Sequence, residues 1–466
     1  MRRLRWVSPL ETAFILLLAA VLLASVREAG AALAGPLPFD TGTLNTTITS
    51  PTSVAFGPDG RLYVASLTAI RALTLDSTGR QVVATEPIVT GLDTMLGIAF
   101  DPTAPASPVE LYVSHQNPAA TGSYQGVVST FTGPTWTRTD VITGLPSSAP
   151  YSNHFTNGLA FDSAGVLYLA QGSNTDAGLA GPHWPETPLS AAILRADVND
   201  PGFEGAITYS PAAPPLDHEV NQTGGDVTVF APGTRNPYDL VVHSNGYTYA
   251  TDNGPPGPTA SLTCTASGGP VSSSDELNLI EEGNYYGHPN RNRGRFDARQ
   301  CTYRAAEAGS GIGFTGPIAV LPAHCSCDGL AEYTSNAFGG ALQGDLILAE
   351  FVNGEASRIE LAPDGRSVTS ISTLQAGYNL PLDVIVGPTG IVYIAEFGAN
   401  RIAYLAPVPV GVGGMVELPG AAANEAPASG ASTNRGAGVA ALAGAMAALA
   451  ALGLGGGWWL VRRPRR

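Results

Sequence analysis

The sequence predicts an all-β protein, a six-bladed β-propeller. Three observations carry that reading. A short unit recurs six times along the chain. Each copy joins two short apolar runs through a turn of Gly, Asp or Asn, as a tight hairpin does. Glycine (56) and proline (37) are abundant in the 466 residues, and only 13% are charged. That composition suits many turns and short strands better than long surface helices.

The first copy is Val54-Ala-Phe-Gly-Pro-Asp-Gly-Arg-Leu-Tyr-Val64. The second is split between Ile98-Ala-Phe-Asp101 and Leu111-Tyr-Val113. Leu159-Ala-Phe-Asp-Ser-Ala-Gly-Val-Leu-Tyr-Leu169 is the third, and Leu240-Val-Val-His-Ser-Asn-Gly-Tyr-Thr-Tyr-Ala250 the fourth. A weaker fifth runs through Gly344-Asp-Leu-Ile-Leu-Ala349. The sixth is Val384-Ile-Val-Gly-Pro-Thr-Gly-Ile-Val-Tyr-Ile-Ala395. One such unit cannot bury both of its faces, so six are expected to pack around an axis, spanning 45–407. A β-sandwich is the competing fold, but it does not predict repeated Phe-x-x-x-Gly-x-Leu-Tyr units. The long gaps, 170–225 and 254–330, are where loops are expected to build a site.

Both ends read as targeting segments. Residues 1–34 carry Arg2, Arg3 and Arg5, an apolar run over 13–26, and small-residue sites at Ala31 and Ala34. A secretory signal is expected, with an uncleaved anchor as the alternative. Residues 408–435 read as a low-complexity linker. The apolar run 436–461 is long enough to span a bilayer, with Trp458 and Trp459 near an interface, and the tail 462–466 is basic. The expectation is an exported propeller in the cell envelope, tethered to the membrane by a C-terminal transmembrane helix.

Lysine is absent, so all 23 basic residues are Arg, and the formal net charge is −15. Such a surface repels nucleic acid. Four cysteines fit an oxidising compartment. Cys264, Cys301, Cys325 and Cys327 allow three pairings. Cys325 and Cys327 stand too close for easy mutual bridging, so each is expected to pair upstream. A thiolate metal site with His324 is an alternative.

Candidate chemistry flanks the third and fourth repeats. His154 lies just before the third repeat, where an imidazole with an ordinary pKa near ~6.5 can act as a base or simply brace a loop. Arg235 and Asn236 precede the fourth. Arg offers a rigid fork for carboxylate or carbonyl oxygens, or a salt bridge within a loop. Gly254 and Pro255 follow the same unit, and their carbonyls suit Ca²⁺. Glu276 and Tyr286 could supply a second Ca²⁺ site through carboxylate and carbonyl oxygens, or be a surface acid and a turn.

Taken together, His154…Gly158, Arg235-Asn236-Pro237, Asn253-Gly-Pro255, Asp275-Glu-Leu-Asn278 and Asn284-Tyr-Tyr-Gly-His-Pro289 resemble the soluble glucose/sorbosone dehydrogenase family. Its members are six-bladed propellers using pyrroloquinoline quinone (PQQ) and Ca²⁺. The resemblance covers roughly 49–407. It implies that His154 takes a proton from a sugar hydroxyl as hydride passes to the quinone. It implies that Arg235 polarises a quinone carbonyl, with Asn236 beside it. Gly254 and Pro255 would hold the Ca²⁺ that activates PQQ, and Glu276 with the Tyr286 carbonyl a structural Ca²⁺. An electron acceptor would follow.

This chain also departs from the family. Well-known members hold the PQQ carboxylates with a lysine and two further arginines. Here Asn379-Leu-Pro-Leu382 stands where the arginine pair should precede Asp383, and His288 replaces a usual tryptophan. Arg291, Arg293, Arg295, Arg299 and Arg304 could supply replacement charge. Two other readings stay open. One is a non-catalytic, Ca²⁺-stabilised envelope binding module. The other is a metal-dependent hydrolase or lactonase, which needs acids converging on the axis.

Overall fold

Six four-stranded antiparallel sheets form the blades of a ring. The computed structural model describes residues 37–408, except 121, 151–153, 177–183, 213–218, 255–273 and 294–313. From the axis outward, the first blade is Pro51–Phe56, Leu62–Ser66, Ala69–Leu75 and Val82–Thr90. The innermost strands of the next five are Asp93–Ala99, Thr156–Phe161, Pro237–Val242, Cys327–Glu332 and Pro381–Val386. Each packs against the next, and the sixth returns to the first.

Five of the six predicted repeats are the inner hairpins of blades. Four of these hairpins turn on a glycine at positive φ: Gly60 (79°), Gly165 (83°), Gly246 (86°) and Gly390 (80°). Only glycine takes that backbone without strain, so the turn residue is legible in the sequence. The Phe and Tyr of the repeats meet across blade boundaries. Phe56 packs edge-on against Tyr393 at 5.5 Å, Phe100 against Tyr63 at 4.9 Å, and Phe161 against Tyr112 at 4.9 Å. The second strands, such as Leu62–Ser66 and Val392–Glu396, are buried along their whole length because both faces touch a neighbouring blade.

Close to the axis the blades approach too tightly for side chains. A Cβ on Gly329 would sit 2.4 Å from Asp383 Cα, and one on Gly158 2.4 Å from Asp239 Oδ1. Carboxylates staple the blades there. Asp239 accepts from Leu330 N at 2.9 Å and Asp383 from Val54 N at 2.8 Å. With Asp328 they place three acids near the axis, Asp328 and Asp383 buried and Asp239 partly so, which the sequence had not located. Burial raises Asp328 to about 7 and Asp383 to about 6. Burial and the neighbouring Asp383 charge hold Asp239 well above its ordinary value.

Three expectations need correction. The propeller begins before residue 45: Phe39–Thr43 pairs with Arg401–Pro407 and supplies the outermost strand of the sixth blade. The weak fifth repeat is only a second strand, Leu346–Glu350; its inner partner is Cys327–Glu332. Cys325 and Cys327 bridge each other. His324 and Ser326 lie in the left-handed region (φ 56° and 45°). That backbone brings the two Cα atoms to 5.1 Å, inside the range a disulfide needs. Cys264 and Cys301 lie outside the described residues. So do the expected signal, linker, membrane span and basic tail. Among the described residues, no helix is long and apolar enough to cross a membrane.

Candidate active site

The starts of the innermost strands and the ends of the second strands share one end of the ring, because the two run antiparallel. His154 precedes the inner strand of the third blade. Ser173 follows that blade's second strand, Leu167–Gln171. Arg235 and Asn236 precede the inner strand of the fourth blade, and Asn253 and Gly254 follow its second strand, Thr248–Asp252. Four chain segments thereby converge.

His154 is 3% exposed. Its Nδ1 lies 3.0 Å from Ser173 Oγ and 3.2 Å from the Ser173 carbonyl. The Ser173 hydroxyl donates its one proton to the Thr175 carbonyl at 2.5 Å. Both Ser173 atoms can then only accept, so Nδ1 carries the ring proton and Nε2 keeps its lone pair. Burial, and next the Arg235 charge, push His154 down to about 3. The imidazole is neutral at ordinary pH, with a defined accepting nitrogen.

Arg235 is nearly as buried. Its Nη2 pairs with Asp176 Oδ1 at 2.5 Å and its Nε donates to the Asp176 carbonyl at 3.2 Å. Nη1 donates to the carbonyls of Asn253 (3.0 Å) and Gly254 (3.2 Å). The backbone beneath is held by buried acids. Asp252 accepts the amides of Arg235 (3.0 Å) and Asn236 (2.7 Å). Asn157 Nδ2 donates to Asn236 Oδ1 at 3.1 Å. Asp275 Oδ1 accepts the Gly254 amide at 2.9 Å, and its Oδ2 accepts the Cys327 amide at 3.1 Å.

The structure thus brings His154, Arg235, Asn236 and Gly254 together. Pro255 lies outside the described residues. Glu276 and Tyr286 sit farther along the fourth blade. Glu276 accepts from Asn278 Nδ2 at 3.3 Å, while Tyr286 donates its hydroxyl to the Leu279 carbonyl at 2.6 Å. Among the described residues, Asp275 lies close to Cys325 and Cys327, but their sulfurs are joined in a disulfide and offer no thiolate to a metal. Arg293 does not reach the site as a free charge: it donates to the carbonyls of Pro188, Ser190 and Ala191. Sequence reasoning missed Ser173, Asp176, Asp252 and Asp275, although Asp275 opens the Asp275-Glu-Leu-Asn278 motif and Asp252 directly precedes Asn253.

A ring of six closely packed blades with a buried, tautomer-fixed histidine beside a buried arginine defines a six-bladed β-propeller with a candidate site at one end of the ring. The family model for Glucose / Sorbosone dehydrogenase matches residues 48–402, and the chain belongs to that family. Its fold is similar to the PQQ-bound aldose sugar dehydrogenase of Streptomyces coelicolor, with 20% identity over 80% of this chain and 99% of that one, TM-score 0.53. The soluble aldose sugar dehydrogenase of Escherichia coli in its apo form shares 16% identity over 80% and 100%, TM-score 0.55. The calcium structure of the Trichoderma reesei Carbohydrate-Active Enzymes Family AA12 protein shares 16% over 80% and 98%, TM-score 0.57. Among curated proteins, none matches the chain.

The site can be tested for fit to PQQ. Thr234 Oγ1, Asn253 Oδ1 and Asn174 Oδ1 are buried and have no hydrogen-bond partner. Each adjoins a residue of the site, and such orphans call for a polar ligand or water. Thr234 Oγ1 can donate to a quinone carbonyl, whereas the two amide oxygens only accept and suit an N–H, a hydroxyl or water. The carboxylate edge finds less: the chain has no lysine, and the segment Asn379-Leu-Pro-Leu382 before Asp383 carries no arginine.

Proposed function

We propose that this chain oxidises a hydroxyl of a small sugar or aldose. One observation carries the reading: His154 presents an unprotonated Nε2 in a buried site beside Arg235. In the proposed reaction the C–H hydrogen leaves as hydride and the O–H proton goes to His154 Nε2. PQQ supplies a two-electron acceptor, and Ca²⁺ a Lewis acid, when they are bound. Arg235 and Asn236 would hold PQQ, and the carbonyls of Gly254 and Pro255 the Ca²⁺. Ser173 keeps the tautomer, and Asp176 keeps Arg235 aimed. Burial of His154, Ser173 and Arg235 excludes water and strengthens their hydrogen bonds. Glu276 and the Tyr286 carbonyl are the proposed structural Ca²⁺ ligands. Export, tethering by 436–461 and passage of electrons to a separate acceptor complete the reading.

A second reading has its own support. Arg235 is already paired with Asp176, and Asn379-Leu-Pro-Leu382 carries no arginine. A Ca²⁺-stabilised propeller that binds a sugar without oxidising it would need nothing more.

Reconstitution separates the two. Purified chain given PQQ and Ca²⁺ should reduce an artificial dye in the presence of aldoses, and His154→Ala should lose 10²-fold or more, the scale of a general base. Unchanged absorbance and melting temperature on adding PQQ would leave the binding-module reading.

A further inference from the structure

Glu186 is a buried carboxylate that no part of the proposed reaction uses. It is 3% exposed and accepts five hydrogen bonds. Oε1 takes Thr175 N at 3.1 Å, Thr175 Oγ1 at 2.5 Å and His288 Nε2 at 2.9 Å. Oε2 takes Asn174 N at 3.0 Å and Ser190 Oγ at 2.5 Å. Burial alone would raise its pKa, but hydrogen bonds from His288, Ser190 and Thr175, with the His288 charge, hold it below the ordinary value. His288 is fully buried, and its backbone amide is fixed on the Gly233 carbonyl at 2.6 Å.

The two amides that Glu186 clamps are the middle of a four-residue loop, 173–176. The ends of that loop are the partners of the site. Ser173 touches His154 Nδ1, and its hydroxyl is in turn fixed by the Thr175 carbonyl. Asp176 pairs with Arg235. The Ser173 amide also donates to the Arg235 carbonyl at 2.7 Å. A shift of Thr175 would therefore disturb both the histidine and the arginine.

The geometry points to Glu186 and His288 as positioning residues that set the His154 tautomer and the Arg235 direction through the 173–176 loop. Neither touches the reacting position. His288 enters because its Nε2 meets the Glu186 carboxylate at 2.9 Å, from a segment more than a hundred residues away in sequence. The inference rests on the proposed reaction only in its kinetic readout; its structural readout stands alone.

The test uses the full chain in three variants, read by ¹⁵N NMR of the imidazoles without added cofactor and by sugar oxidation after reconstitution. Glu186→Gln puts an N–H against donors; His288→Phe removes one donor; His288→Gln restores an N–H donor at that place. Wild type should show a single His154 tautomer protonated at Nδ1. Glu186→Gln and His288→Phe should show mixed tautomers and a kcat lower by about 10²-fold, the scale of a small misplacement, with KM changed far less. His288→Gln should recover most of both. Asn290→Ala is the control: it loosens the same segment, through the carbonyls of Thr187 and Ser190, without touching the Glu186 carboxylate. The inference is overturned if His154 keeps one tautomer in Glu186→Gln and His288→Phe, or if Asn290→Ala has the same effect as either. Wild type that fails to oxidise sugar would remove the proposed reaction and leave the NMR comparison to decide the clamp. Should Glu186→Gln not fold, His288→Phe and His288→Gln still decide it.

Discussion

Ser173→Ala removes one of the two acceptors at His154 Nδ1 and leaves the residue-173 carbonyl, at 3.2 Å, as the other. A neutral buried hydrogen bond contributes about 1 kcal/mol net. Loss of that preference lets the Nε2–H tautomer in, by roughly a factor of five, since about 1.4 kcal/mol is tenfold. The Thr175 carbonyl loses its donor as well, so a melting-temperature drop of a few degrees should accompany it. The kinetic loss should then be at most about fivefold in kcat, much smaller than the ~10²–10⁴ expected for removing the base itself. Steady-state dye reduction gives kcat and KM, and ¹⁵N shifts of His154 give the tautomer ratio. A loss as large as that of His154→Ala would refute the reasoning, because Ser173 would then have to act on the substrate directly. An unchanged tautomer ratio with reduced kcat would refute it too.

Other consequences follow from the axis and the cofactor loops. Asp328 is raised from 3.8 to about 7, so its folded form holds a proton that the unfolded chain has released. That contribution is complete below the unfolded value and is lost as pH rises through about 7. Asp328→Asn should flatten the fall in chemical-denaturation stability between about pH 4 and 7, on the order of 4 kcal/mol at full effect; an unchanged slope would contradict the assignment. Gly329→Ala drives a Cβ to 2.4 Å from Asp383 Cα and should cost about 1–3 kcal/mol or more. Gly60→Ala meets no atom within 4 Å and carries only left-handed strain, about 1 kcal/mol. Equal melting temperatures for the two variants would show that blade contact at the axis is not what excludes a side chain. Adding EDTA should lower the melting temperature if Ca²⁺ is bound at the Gly254 turn or beside Glu276; no change would count against both sites.

The blades were legible because their signals are local. Glycine at the positive-φ turn, the buried Leu-Tyr strand and the preceding Phe all lie within about eleven residues of one another. The fifth blade hid because its inner strand, Cys327–Glu332, carries Asp and Gly and reaches its partner through a long irregular excursion with Phe338 at positive φ. Phe39–Thr43 hid because a half-exposed polar strand has no periodicity of its own and is defined by Arg401–Pro407, at the far end of the propeller. His154 and Arg235 stood out by position, immediately before a repeat. Their partners did not. Ser173, Asp176 and Glu186 lie in a long gap between repeats; the third blade's inner hairpin brings Ser173 to His154, packing of the third blade on the fourth brings Asp176 to Arg235, and Glu186 holds the loop between them. The cysteine expectation failed because chain proximity was judged without the left-handed backbone at Ser326.

Turnover with and without each cofactor tests the central claim most directly. The purified chain should oxidise an aldose only when PQQ and Ca²⁺ are both supplied, and His154→Ala should lose at least 10²-fold under the same conditions. Oxidation that survives in His154→Ala, or a wild type that neither binds PQQ nor turns over, would contradict the account.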